Sequence, residues 1–126
     1  MKKAYSLLEL LIVVTIVGIL ASLGSAQYAK TREKVFDKQA MAQLQLIYSM
    51  EKSVRSEGPT YVNCNSNSPC ASTLNLSLDK SAGWDYCVSG NAANFCASAK
   101  HRYNKYWSIY NVNNTVFSGN CPTACW

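Results

Sequence analysis

Charge is scarce in this chain: only 15% of its 126 residues are Asp, Glu, Lys or Arg, against roughly 25% in an ordinary globular protein. A long disordered charged tail is thereby excluded. The shortage is uneven. Residues 1–26 carry only Lys2, Lys3 and Glu9, whereas residues 27–57 hold Lys30, Arg32, Lys34, Lys38, Lys52 and Arg55 against Glu33, Asp37, Glu51 and Glu57. The formal net charge of +5 is spread along the chain and implies no dedicated polyanion partner. Histidine is represented by His101 alone, and no glutamate follows Glu57. The C-terminal half therefore has no cluster that could share acid and base roles, and no enzyme is expected. Asp79 and Asp85 alone make a poor calcium site, so neither a metal nor a cofactor is expected.

Proline is absent before Pro59 and cysteine before Cys64. The first absence permits a helix of unusual length. The second confines all six cysteines, at positions 64, 70, 87, 96, 121 and 125, to one polar region. An even count so placed reads as a disulfide framework in an oxidising compartment. No C-x-x-C occurs, which disfavours zinc.

What is abundant is apolar residue near the N-terminus. From Leu7 to Leu23 the run is broken only by Glu9, Thr15, Gly18 and Ser22. Tyr5 to Ala26 is long enough to cross a bilayer as a helix at ~1.5 Å per residue. A secretory signal peptide cut after Ala26 is one reading, but it leaves Glu9 unexplained. A carboxylate inside an apolar segment costs up to roughly 2.5–3.5 kcal/mol on insertion scales, and its natural partner is a cation.

The order of a basic leader (Lys2-Lys3-Ala4), an aromatic (Tyr5), an acid four residues later (Glu9) and Gly18 within the apolar run resembles the prepilin N-terminus of type IV pilins and pseudopilins. The resemblance covers about the first 25 residues. It implies that residues 1–4 are a leader clipped between Ala4 and Tyr5 by a prepilin peptidase, and that Tyr5 is then N-methylated by the same peptidase/methyltransferase. It implies an assembly role for Glu9, Tyr5 and Gly18, with Glu9 neutralised by the Tyr5 amine of a neighbouring subunit. It also implies partners: further copies or other pilins, an assembly platform and an ATPase motor. The chain would stand in the inner membrane before assembly, then in an extracellular pilus filament or a periplasmic pseudopilus. Ala4 stands where the family normally has glycine, and the proline common near the end of the apolar segment is missing. If part of the helix melts, Gly18 and Gly24 must supply the break. Lys30, Arg32, Lys34 and Lys38 on the far side outnumber Lys2 and Lys3, against the positive-inside rule.

Beyond Ala26, Phe36, Ala40, Leu44, Ile47 and Val54 keep helical spacing, and Gly58-Pro59 stops the helix. The spacing predicts one helix over 5–57. Its first part, 5–26, forms the transmembrane segment or filament core, and 27–57 forms an amphipathic part packed on a globular head at 58–126. Within the head we expect a loop at 59–83, an antiparallel sheet at 84–118 and a disulfide-bounded C-terminal loop at 119–126. Strands are expected at Trp84 to Ser89, Phe95 to Lys100, Lys105 to Val112 and Thr115 to Ser118, with Gly90-Asn91 in the first turn and Asn113-Asn114 as a two-residue turn. The fold class is α+β, a long helix on a small antiparallel sheet with stapled loops, an arrangement that resembles the pilin head. Fifteen pairings of six cysteines are possible. A sequential one is preferred: Cys64 with Cys70, Cys87 with Cys96 across a symmetrical hairpin, and Cys121 with Cys125.

A structural pilin subunit, supporting adhesion, motility or uptake, is the leading reading. A type II secretion pseudopilin or a DNA-binding minor pilin is the alternative, and a secreted or membrane-anchored disulfide-rich binding protein the more distant one. Lys100, Arg102, Lys105, Tyr106 and Trp107 interleave cations with aromatics and could grip nucleic acid by phosphate attraction and stacking. A sheet strand with an aromatic face explains the same residues.

Overall fold

The computed structural model describes residues 5–65 and 69–121. The elements are α1 (Leu7–Glu57), α2 (Cys70–Thr73), β1 (Trp84–Gly90), β2 (Phe95–His101), β3 (Tyr106–Tyr110) and β4 (Phe117–Ser118). Two compact units divide the chain, Met1–Val35 and Phe36–Trp126, and α1 contributes to both. It runs without a break through Gly18 and Gly24. The fold class is α+β.

In the second unit the strands form a meander in the order β1-β2-β3-β4, each pair antiparallel. One face of the sheet carries Trp84, Tyr86, Val88, Phe95, Ala97, Ala99 and Ile109. These residues join Ala40, Leu44 and Ile47 of α1 in a single buried cluster. Ala40, Leu44 and Ile47 recur at helical spacing, so one stripe of α1 is wholly shielded while flanking residues such as Phe36, Tyr48 and Val54 are half-buried against the core. Leu74, Leu76 and Leu78, which alternate in the sequence, all join or border this core. The connection at 59–83, read as a loop, contains the single turn α2 beside Cys70.

Tyr61 to Cys64 runs along the free side of β1, where Cys64 and Val88 exchange backbone hydrogen bonds of 3.0 and 2.8 Å. The approach is close enough to demand glycine at position 90. A Cβ there would lie 2.8 Å from the Cβ of Tyr61.

The centre of the opposite face carries small residues. Cys87, Ser98 and Ser108 face one another across three strands and are buried. Gly119 to Cys121 comes back to this side: Ser108 Oγ donates to the Gly119 carbonyl at 2.6 Å, and Cys121 is bonded to Cys96.

Two expected disulfides are thereby corrected. Cys64 and Cys70 are bonded, but Cys96 pairs with Cys121, so neither Cys87–Cys96 nor Cys121–Cys125 forms. The reason is register. Asn91 Oδ1 accepts from the amides of Ala93 and Asn94, both at 2.8 Å, which makes 91–94 a four-residue turn. Gly90 then pairs with Phe95 and Cys87 with Ser98, while Cys96 lies opposite Ser89. Cys87 and Cys96 become diagonal neighbours, roughly 7–8 Å apart, beyond the usual reach of a disulfide. Cys87 is itself disulfide-bonded; Cys125 lies outside the described residues.

The second turn also differs. β3 ends at Tyr110, and Asn113-Asn114 sits in a longer connection to the short β4. Asn111 diverts the chain: its amide nitrogen Nδ2 donates to the Ala93 carbonyl and to Asn94 Oδ1, both at 3.2 Å.

Non-reducing peptide mapping should recover a cross-link joining Cys96 to Cys121 and none joining Cys87 to Cys96. A Cys96→Ala/Cys121→Ala double variant of the full chain in detergent should lose about 2–4 kcal/mol of unfolding free energy, read from denaturant titration of tryptophan fluorescence.

Candidate functional site

The first unit owes its chemistry to what does not cover it. Every described residue from Tyr5 to Val35 is exposed, and α1 is long and apolar enough in this part to cross a membrane. Leu7 is 84% and Val14 68% accessible. Burying such side chains contributes about 1.5–3 kcal/mol each relative to water, so the segment demands another apolar environment.

Its polar groups fall into two kinds. Thr15 donates to the carbonyls of Leu11 and Ile12 at 3.0 and 2.8 Å, and Ser22 donates to Ile19 at 2.8 Å. These hydroxyls are satisfied within their own helix and can enter an apolar medium at little cost. Glu9 is different. It sits in the first turn of α1, just after the Ser6 carbonyl accepts the opening hydrogen bonds from Glu9 and Leu10 at 3.0 and 3.2 Å. Among the described residues its carboxylate has no hydrogen bond or ion pair. Tyr5, Glu9, Leu10 and Val13 line an open groove at this end. The structure thus presents Tyr5 and Glu9 together on one side of the helix start. Gly18 leaves a bare patch, with nothing within 4 Å of where a Cβ would stand. Ala4 lies outside the described residues.

The head's basic and aromatic run is not gathered into one surface. Lys105 turns toward the helix and holds Asp37 at 2.6 Å, and Trp107 Nε1 donates to the same carboxylate at 3.4 Å. Lys100 and Tyr106 are cross-strand partners on the opposite face, the Lys100 ammonium 5.9 Å from the ring centre. Arg102 lies against Gly83. His101 packs between Trp84 and Tyr103, with Nε2 3.0 Å from the Ala82 carbonyl.

Two helix acids escaped the sequence reading. Asp37 fastens α1 to β3 through Lys105 and Trp107. Glu51 is completely buried on the stripe of Leu44 and Ile47, where Oε2 accepts from the Val62 amide at 3.0 Å and Oε1 has no partner among the described residues. Burial pushes the Glu51 carboxyl above its ordinary value, and the Val62 hydrogen bond only partly opposes this. The signal was present: Glu51 follows Ile47 by four positions and so falls on the core face.

Residues 1–25 match the family model described as the prokaryotic N-terminal methylation motif, the signal of type IV pilins and pseudopilins. That signal, the long apolar helix and the exposed Glu9 fit a membrane-anchored precursor that is processed by a prepilin peptidase and assembles with other pilins. No curated protein and no solved structure matches the chain.

Removing the Asp37 carboxylate with Asp37→Ala should cost the head about 1.5–3 kcal/mol, because it deletes a charged acceptor shared by the Lys105 ammonium and the Trp107 N–H. Urea unfolding of the full chain in detergent measures this. Glu51 sets a pH dependence. Its carboxyl titrates higher folded than unfolded, so its contribution is complete below 4.5 and is lost as pH rises through the folded-state value. The wild-type urea midpoint should fall over this window relative to that of Glu51→Gln; parallel curves would contradict the assignment.

Proposed function

We propose that the chain is a structural subunit of a type IV pilus, assembling through the exposed apolar part of α1. In this reading Tyr5 becomes the N-terminus once the leader is cut after Ala4, and its amine is methylated. Glu9 of one subunit then neutralises the Tyr5 amine of the next. The observation that carries the reading is Glu9 itself: an acid whose carboxylate has no partner among the described residues, on a helix face without cover, within a matched methylation motif.

The physics makes Glu9 a selector of register. A charge transferred unpaired into a low-dielectric bundle is penalised by several kcal/mol, so a subunit docks at the axial offset that pairs it or does not dock. Side chains from Leu7 to Leu20 supply burial without direction, whereas the ion pair supplies direction. The contact is heterologous and does not close, which yields a filament. Burial against neighbours gains little over burial in lipid, so extraction from the membrane calls for an assembly platform with an ATPase motor. Gly18 lets neighbouring helices approach closely, and the stapled head forms the filament's outer surface. The bacterial inner membrane is the place of the precursor and the cell exterior that of the filament.

Mass spectrometry of the mature chain should find a start at Tyr5 with one added methyl group; a start at Gln27 would reject the reading. Glu9→Ala should reduce sheared surface filament by at least ten-fold while leaving the head's disulfides and the membrane-bound precursor pool intact. Normal filament yield from that variant would sink the register mechanism.

A further inference from the structure

The cation surplus beyond the apolar segment is left unexplained by filament assembly. We propose that Tyr28, Lys30, Arg32 and Lys34 form a collar that binds the headgroups of anionic phospholipids in the leaflet facing away from the leader. The proposal rests on the membrane-anchored precursor described above.

Position along the helix places the collar at the right depth. From Tyr5 to Tyr28 a helix rises about 35 Å, close to the hydrocarbon thickness plus the start of the headgroup layer. With Tyr5 at one boundary, Tyr28 reaches the other. A tyrosine is suited to that depth, its ring apolar and its hydroxyl wet, and this one is 70% exposed. Lys30, Arg32 and Lys34 follow within the next two turns and are exposed. Their stems can lie along the apolar surface while the cations reach the phosphates.

Position around the helix suits a lipid layer as well. Lys30 and Lys34 are one turn apart and share a side of α1, whereas Arg32 lies about 200° around the helix from Lys30. Headgroups surround a helix on every side, and this spread meets them on more than one. Even with Glu33 set against a cation, residues 27–35 keep a surplus of two positive charges.

Acids are scarcer than cations throughout the chain. Of seven acidic residues, Asp37 is held by Lys105 and Asp85 by Lys80. Asp79 accepts from the Ser81 amide and from Gln39, and Glu51 is buried. Glu9 belongs to the apolar segment and Glu33 to the collar, which leaves Glu57. A second copy therefore offers few carboxylates, and the exposed ones of Asp79 and Asp85 belong to its head. Phosphodiester headgroups at the same depth offer a full layer of anions.

To test this, the full chain is reconstituted in phosphatidylcholine vesicles carrying a trace of spin-labelled phosphatidylglycerol or spin-labelled phosphatidylcholine. Electron paramagnetic resonance then gives the relative association of each lipid with the protein. Wild type should favour phosphatidylglycerol by about five-fold, the effect of one cation at a headgroup, and the preference should shrink in high salt. The triple variant Lys30→Gln, Arg32→Gln, Lys34→Gln should lower the ratio to about one. Glutamine keeps helix propensity and the positions are exposed, so the helix survives the change. Equal association of both lipids with wild type, or a preference that persists in the variant, overturns the collar. Failure of wild type to float with the vesicles overturns both the collar and the membrane-anchored precursor; flotation without lipid preference overturns the collar alone.

Discussion

A helix cannot leave the side chains of Leu7 to Leu23 in water, and every one of these residues is exposed. Each fully buried leucine, isoleucine or valine changes the balance by about 1.5–3 kcal/mol, so the segment as a whole outweighs the entire net stability of a small domain. The molecule is therefore incomplete as a monomer in solution. Lipid and neighbouring helices are the two media that complete it, and the satisfied hydroxyls of Thr15 and Ser22 suit either one. Glu9 does not suit lipid unless it finds a cation. That asymmetry is what distinguishes an assembling helix from a simple anchor.

The second unit faces the reverse problem, a core that is barely large enough. Its buried cluster rests on one stripe of α1, three substantial strands and the Tyr61 segment. A domain of this size rarely draws more than about 3–5 kcal/mol from such a core alone. Three devices supplement it. Disulfides tie the Cys64 region to α2 and the Gly119–Cys121 segment to β2. The Asp37, Lys105 and Trp107 group ties α1 to β3. The small side chains of Cys87, Ser98 and Ser108 leave the outer face of the sheet low enough for the chain to return across it. The head is thus covered on both faces of a meander that would otherwise expose one.

Much of this could be read from the residues. Without proline or a turn signal before Gly58, the helix had no place to end, and its start and stop agree with α1 within about two residues. Trp84, Phe95 and the aromatic run from Tyr106 to Tyr110 mark the three main strands. Register was a different matter. It depends on where the first turn is centred, and the Asn91 side chain, by capturing two backbone amides, fixes the turn at 91–94. Composition names asparagine as a turn former without fixing where the turn is centred, and a small shift there moves Cys87 away from Cys96. The true partner, Cys121, is distant in sequence and becomes visible only once the sheet exists. The basic and aromatic run failed as a surface for a related reason. Alternation along β3 sends its side chains to opposite faces, and Asp37 of α1 claims Lys105 and Trp107 from one of them.

Scarcity of charge finally sets the two ends of the apolar segment apart from the rest of the chain. Where acids are few, most of them are engaged close to home, Asp37 with β3, Asp85 with Lys80, Asp79 within its turn and Glu51 with Val62. Between Tyr28 and Lys34 the cations outnumber Glu33 by a formal charge of two, the surplus that the proposed collar sets against lipid headgroups. Glu9 finds no cation among the described residues, and the proposed assembly supplies an external one. The two ends of the apolar segment thus carry opposite formal charge, and in the reading proposed above the same poverty of charge that marks the sequence is what makes those two ends specific. In the proposed reading, a richer surface would have offered Glu9 a partner at home, and with it a reason not to assemble.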